Sequence, residues 1–270
     1  MALYINDAVI EVTRKCNLKC QHCLRGNAQR KNIPNNYIYK FLQLIDSIHS
    51  LTITGGEPTL NMEGLEQIRN CIVYSNCEVD NFYMVTNGKS IHIDELAEWI
   101  YLMYLACSDN EISGVNFSFD SFHTSILNWK QSEKQKRNFY RLQEIIENKY
   151  GLNRLGGDFI RKHSDKSWGY HSLINEGRAK GYGSRENEVT PFEMFSQEFD
   201  DDGSADISEN EVYLSCSGYI VAGCDWSYES IDNRKDIRIC HIDDINCQDD
   251  FINALTEYNK KLEVKELQTV

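Results

Sequence analysis

Two rhythms of apolar and polar positions alternate along the first 150 residues. Ala8-Val9-Ile10-Glu11-Val12 reads as a short buried strand. Residues 36–48 then carry Tyr37, Phe41, Leu42, Ile45 and Ile48 at helical spacing, with Asn35 or Asn36 available as a cap. Ser50-Leu51-Thr52-Ile53-Thr54 is β-branched and closed by two glycines, which predicts a second parallel strand with a functional loop at its end. The same logic predicts helices over 62–74 and 94–106, strands over 81–86 and 115–119, and a long polar-faced helix over 134–149. Four strand-helix alternations imply a parallel sheet with right-handed crossovers.

Beyond Gly151 the pattern weakens. Asp158-Phe159-Ile160-Arg161 and the stretch before Asn175-Glu176-Gly177-Arg178-Ala179 are candidates for a fifth strand and its loop. Residues 198–206 are acidic and glycine-containing, and read as a surface loop or boundary. Residues 211–216, the pair Ser217-Gly218 and residues 219–222 then read as a β-hairpin, and 249–264 as a closing helix. This divides the chain into an α/β part over 1–200 and a C-terminal hairpin and helix extension over 201–270, with no internal repeat.

At 270 residues, 41% hydrophobic and 26% charged, the chain can bury a sizeable core as one large domain or one domain with a small appendage. No apolar run approaches the roughly 18 residues of a membrane span. The first seven residues lack a charged-then-apolar export layout, so the expected location is cytoplasmic. Ten cysteines are then best read as reduced thiols and metal ligands. A net charge of −13 argues against nucleic acid as a partner, and the basic run 130–141 reads as the solvated face of a helix.

The candidate chemistry begins at Cys16-Asn17-Leu18-Lys19-Cys20-Gln21-His22-Cys23. Thiolates bind zinc or iron-sulfur clusters. Three of them leave a site one ligand short, to be closed by a distant residue or left open for an outside molecule. Zinc ribbons offer two Cys-x-x-Cys or Cys/His pairs and no second pair stands here, so the lone triplet favours iron-sulfur.

That spacing, followed by Thr54-Gly55-Gly56-Glu57-Pro58, resembles the radical S-adenosylmethionine (radical SAM) enzymes. Val85-Thr86-Asn87-Gly88 and Phe117-Ser118-Phe119-Asp120 look like the third and fourth barrel strands of that family. The resemblance implies a partial (βα)6 TIM-like barrel. It also implies that Cys16, Cys20 and Cys23 bind a [4Fe-4S] cluster whose fourth iron takes S-adenosylmethionine (SAM). Reductive SAM cleavage would give a 5′-deoxyadenosyl radical, with an electron donor such as flavodoxin or ferredoxin.

By the same resemblance Gly55, Gly56 and Glu57 meet the SAM methionine, and His22 lies beside the adenine. Asn87, Ser118 and Asp120 stand at strand ends and could hold ribose or carboxylate groups, or serve as turn residues. Arg178 is a cofactor contact or a surface ion pair. His123 is a candidate proton shuttle or substrate contact, with packing or capping as the plainer reading.

The late cysteines bear on the subclass. Cys216, Cys224, Cys240 and Cys247 resemble a short SPASM/twitch-like extension, implying either a second iron-sulfur cluster or a cysteine-lined remnant without one. Cys71, Cys77 and Cys107 read as packed thiols. The leading expectation is a radical SAM enzyme acting on a peptide or protein side chain. The alternatives are a small metabolite or nucleotide as substrate, and a non-catalytic metal-binding interaction protein.

Overall fold

A computed structural model describes residues 2–90, 92–152, 159–163, 174–180, 195–201 and 203–269. Asp158 and the stretch from 164 to 173 before the anticipated Asn175 loop lie outside them. The sheet is built on β1 (Leu3–Thr13), whose two faces are both covered. Leu3, Ile5, Ala8, Ile10 and Val12 join the helix-side core, whereas Val9 packs with Tyr213, Val221 and Trp226 on the other side. A strand buried on both faces reads as a continuous apolar run, which is how this stretch of sequence looks.

From β1 the sheet runs in one direction through β2 (Ser47–Gly55), β3 (Glu78–Thr86), β4 (Gly114–Ser118) and β5 (Ile160–His163), all parallel. The crossovers carry α1 (Asn35–Gln43), α2 (Met62–Tyr74), α3 (Ile93–Ala106), the short α4 (Ser121–Ser125) and α5 (Trp129–Glu144). Their apolar stripes close the core, with Trp99 fully buried against Phe82 and its indole N–H donated to the Leu65 carbonyl at 2.8 Å.

On its other edge β1 holds two parallel neighbours end to end. β6 (Ser196–Phe199) and β7 (Ala205–Ser208) form an antiparallel pair, and β7 lies beside Leu3, Tyr4 and Ile5. β8 (Val212–Leu214) lies beside Ala8, Val9 and Ile10, and continues antiparallel into β9 (Tyr219–Ala222) and β10 (Arg238–His241). The anticipated hairpin is therefore hydrogen-bonded into the main sheet. α6 (Tyr228–Asn233) and α7 (Gln248–Thr269) complete the chain. Among the described residues the sheet ends at β5 and β10, which are not joined, so the barrel they form is open.

Expectations for three segments are corrected. The surface loop or boundary read over 198–206 is only its middle, since Phe199 ends β6 and Ala205 opens β7, where Ala205 and Ile207 are fully buried and alternate with exposed Asp206; the acidic turn hid that period of two. The first helix stops at Gln43, since Ser47 already opens β2 and Ile48 is a strand residue. Pro34, not Asn35 or Asn36, is its N-cap, and Asn35 donates its amide to Glu63. The long helix begins five residues earlier than its apolar period shows. Asn128 and Gln131 form a capping box there, ahead of Trp129, which is 75% exposed.

Candidate functional site

β1 to β4 end on one side of the sheet at Thr13, Gly55, Thr86 and Ser118, and the cysteine loop leaves β1 there. In parallel α/β sheets this carboxyl side is where ligands bind. The loop closes on itself, since Arg14 N–H reaches the Lys31 carbonyl at 2.8 Å and Gln29 N–H the Arg14 carbonyl at 2.9 Å. Gly177 and Arg178 fasten it from outside. Arg178 donates Nε to the Cys20 carbonyl at 2.8 Å and its backbone N–H to the Cys23 carbonyl at 2.9 Å. At Gly177, with φ +57°, a Cβ would lie 2.1 Å from the Leu24 carbonyl oxygen, so only glycine permits this approach.

The result is one cavity of about 300 Å³ lined by Cys16, Cys20 and Cys23 together with His22, Gly55, Gly56, Glu57, Asn87, Ser118, His123 and Arg178. The structure thus brings together every residue expected at the cofactor except Asp120, which sits behind the wall as the N-cap of α4. All three thiols are free. Burial pushes the Cys16 thiol up to about 11, and nearby Glu57, Cys20 and Cys23 add to this against one helping N–H from Leu18. Three thiols crowded in one pocket ionise far more readily beside a metal. This donor set fits an iron-sulfur cluster.

Gly55 and Gly56 seat the end of β2 against the start of the cysteine loop. A Cβ on Gly55 would lie 2.2 Å from the Thr13 carbonyl oxygen, and one on Gly56 would lie 2.4 Å from that of Lys15 and 3.0 Å from the Cys16 Cβ. Gly56→Ala is therefore expected to push the first thiol out of place and to lower iron bound after anaerobic reconstitution at least several-fold. Iron unchanged from wild type would contradict it.

Glu57 is 1% exposed, and its carboxylate is filled by four protein donors. Oε1 accepts from Thr59 N, Thr59 Oγ1 and Thr86 Oγ1 at 3.1, 2.6 and 2.7 Å, and Oε2 from Asn87 N at 2.7 Å. This side chain is a brace between the ends of β2 and β3, which leaves the glycine backbone to meet a ligand. Asn87 turns its amide toward Asn17 Oδ1 at 2.8 Å, close to Cys16.

His22 packs on Phe122 at 4.6 Å between ring centroids and edge-on to His123 at 4.8 Å. Burial, and then the charge on His123, hold its pKa down to about 4, so the ring is neutral at pH 7. Its Nδ1 is buried with no hydrogen-bond partner. Asp120 accepts from His123 N at 2.9 Å and pairs with its Nδ1 at 2.6 Å. Burial opposes the charge on His123, but the Asp120 and Cys20 contacts outweigh it and raise the pKa to about 9. Burial likewise opposes ionisation of Asp120, yet His123 brings that carboxyl down to about 2. The ligand atoms of His22, Asp120 and His123 lie within 4.8 Å of one another, near enough to share a metal ion.

The four late thiols each have their own surroundings. Cys216, 1% exposed at the end of β8, donates to the Glu11 carbonyl at 3.1 Å. Cys224 faces Glu211 and Asp225, Cys240 lies in β10 near Asp244 and Lys40, and Cys247 is exposed before α7. Burial pushes Cys224 and Cys240 each up to about 12. Cys71, Cys77 and Cys107 are buried in the core.

Sequence reasoning missed a buried charged group that supports the loop. Arg14 bonds Glu11 Oε1 at 2.6 Å and both carboxylate oxygens of Asp232 in α6, and lies over the Tyr228 ring. It also missed Arg25, which lines the cavity, donates to the Trp226 carbonyl at 2.7 Å and covers the Tyr213 ring. Only the position of Arg25, two residues past the last cysteine, could have marked it.

The family model described as the radical SAM superfamily matches residues 10–157, more than half of the chain. The chain belongs to the radical SAM superfamily. It is therefore an enzyme of a family that uses a [4Fe-4S] cluster and SAM. It is 24% identical over 160 residues to the putative protein YfkA of Bacillus subtilis, covering 57% of this chain and 42% of that one. Over 146 residues it is 26% identical to a GTP 3′,8-cyclase of Helicobacter pylori, covering 51% and 42%. A GTP 3′,8-cyclase of Listeria welshimeri matches at 25% over 245 residues, covering 84% of this chain and 64% of that one. The chain thus spans less than half the length of the first two of these relatives. A solved structure described as native anSMEcpe with bound AdoMet and Cp18Cys peptide superposes with a TM-score of 0.53 at 12% identity, over 96% of this chain and 83% of that one. That likeness shows the fold, a mostly parallel partial barrel. Among the described residues no helix is long and apolar enough to cross a membrane.

Proposed function

We propose that this radical SAM enzyme abstracts hydrogen from a peptide or protein side chain, with Cys16, Cys20 and Cys23 as the ligands of its cluster. The observation that carries the proposal is the single cavity at the strand ends that gathers the three thiols, the glycine pair, Asn87, Ser118 and His22. Cluster and SAM, when bound, supply reductive cleavage of the sulfonium to methionine and a 5′-deoxyadenosyl radical. The chain's residues do the rest. Gly55 and Gly56 offer backbone at close approach, Glu57 keeps that loop in register with β3, and Arg178 holds the cysteine loop. The neutral ring of His22 offers an apolar face for adenine, and Ser118 and Asn87 offer hydroxyl and amide groups to ribose or carboxylate.

Peptide as substrate class is supported by the two sheet edges at β5 and β10, which are not joined to each other among the described residues and so give a polypeptide a route to the inner face. The peptide bound in the anSMEcpe structure accords with this. A small nucleotide is the second reading, favoured by the Listeria cyclase that matches over 84% of the chain. The test is SAM cleavage by the reconstituted, dithionite-reduced enzyme, with methionine and 5′-deoxyadenosine quantified. His22→Ala is expected to raise the KM for SAM about fivefold, the loss of one aromatic contact worth about 1 kcal/mol. No cleavage by fully loaded enzyme would overturn the assignment. Stimulation by GTP but not by a peptide pool would move it to the nucleotide reading.

A further inference from the structure

The concave face of the sheet, opposite the helix-side core, carries a cation that does not line the cofactor cavity. Alternation along each strand puts Ile53, Met84, Val115 and Ile160 in the helix-side core, so their neighbours Thr54, Val85, Asn116 and Arg161 face the other way. Thr54 and Val85 line the cofactor cavity, and Val85 is 37% exposed. Val85 pairs in register with Asn116, and Asn116 with Arg161. At roughly 4.8 Å per strand, Arg161 stands about 10 Å across the sheet from the cavity wall.

Its side chain is laid down over β4. A Cβ on Gly114 would lie 2.6 Å from Arg161 Nη2, so the glycine is what lets the guanidinium rest on the sheet. The group ends 5.9 Å from the ring of Tyr83, the register partner of Gly114. Tyr83 Oη in turn accepts from Asn116 Nδ2 at 2.6 Å. Arg161 Nε has no hydrogen-bond partner, nor has Asn116 Oδ1. Among the described residues Arg14, Arg69, Arg141 and Arg234 pair with carboxylates and Arg25, Arg178 and Arg238 donate to carbonyl oxygens, whereas Arg161 makes no ion pair. With no acid beside it among the described residues, the planar fork of donors suits a carboxylate or phosphate from outside.

We propose that Arg161, with Tyr83 and Asn116 beside it, is an oxyanion-binding subsite that anchors the substrate about 10 Å from the cofactor cavity. The proposal rests on the reading that substrate enters the concave face, and it deepens that reading by giving the substrate a carboxylate or phosphate. The anion meets the guanidinium, and the Tyr83 hydroxyl can add a second donor. The remainder of the substrate spans Val85 toward Ser118, which places its reacting carbon at the cavity.

The test titrates the full-length, reconstituted protein with two small dianions, pyrophosphate and glutarate, at constant ionic strength, following the melting temperature. Wild type is expected to bind at least one of them, and Arg161→Gln to weaken that binding at least tenfold. A response to pyrophosphate alone assigns a phosphate-bearing substrate, and one to glutarate alone a carboxylate-bearing one. Equal binding by wild type and variant, or none by either, overturns the subsite. Because the variant could fail to fold, labelling of wild type by phenylglyoxal provides an independent reading. The effective dianion is expected to protect the peptide containing Arg161, and unaltered labelling of it overturns the proposal. Iron content and SAM cleavage, measured on the same samples, separate failure of this subsite from failure of the radical SAM reading.

Discussion

Replacing Cys16, Cys20 and Cys23 together by alanine is expected to reduce iron from about four per chain to near zero after anaerobic reconstitution. The three positions belong to a loop held by backbone bonds from Arg14, Gln29 and Gly26 and by the Arg178 side chain, none of which needs a thiol. The variant should therefore fold, which circular dichroism will show. Near-zero residual iron is expected because the four remaining late thiols have separate neighbours: Glu11 for Cys216, Glu211 for Cys224, Asp244 for Cys240 and Asp250 for Cys247. About four irons retained by the variant would instead demonstrate a second cluster among them. Zinc in both samples, with iron in neither, would refute the cofactor assignment. The same experiment thus tests the ligand set and decides between an auxiliary cluster and a cysteine-lined remnant.

The spacing of the three cysteines and the glycine pair was legible because both are local in sequence. The strands β1 to β4 were legible for the same reason, since each crossover repeats the switch from period two to period 3.6. What could not be read is what distant segments do to one another. Nothing in Glu57 foretells that Thr59, Thr86 and Asn87 will fill its carboxylate, because two of the four donors are local and two arrive from the end of the next strand. Residues 198–206 looked like a loop because charge at the turn masked the alternation of Ala205 and Ile207, which only pairing with β1 makes meaningful. Arg161 was quoted only as part of a candidate strand. Its interest comes from Gly114 and Tyr83, which the parallel register sets beside it.

Arg14→Met is expected to destabilise the chain by about 3 kcal/mol. Arg14 is fully buried and joins Glu11, on β1 and equally buried, to Asp232 in α6. The figure is at the low end for breaking a buried pair because Asp232 keeps 34% of its side chain in solvent. Ser217 also donates to Asp232, at 2.8 Å, and Tyr213 to Glu11 Oε2, at 2.7 Å, so removal of the guanidinium leaves two carboxylates with only neutral donors. Glu11→Gln added to Arg14→Met should recover part of the loss, since it removes one uncompensated buried charge. Burial alone would raise the Asp232 pKa, but the bonds from Arg14 and Ser217 outweigh it and bring the pKa below the usual carboxylate value. A carboxyl lowered on folding contributes stability above its unfolded pKa, near 3.9, and loses it as pH falls through the folded value. The gap between wild type and Arg14→Met in urea unfolding should therefore be widest near neutral pH and narrow below about pH 4. A gap independent of pH would assign the loss to the buried volume of the Arg14 side chain rather than to its pairing with Asp232.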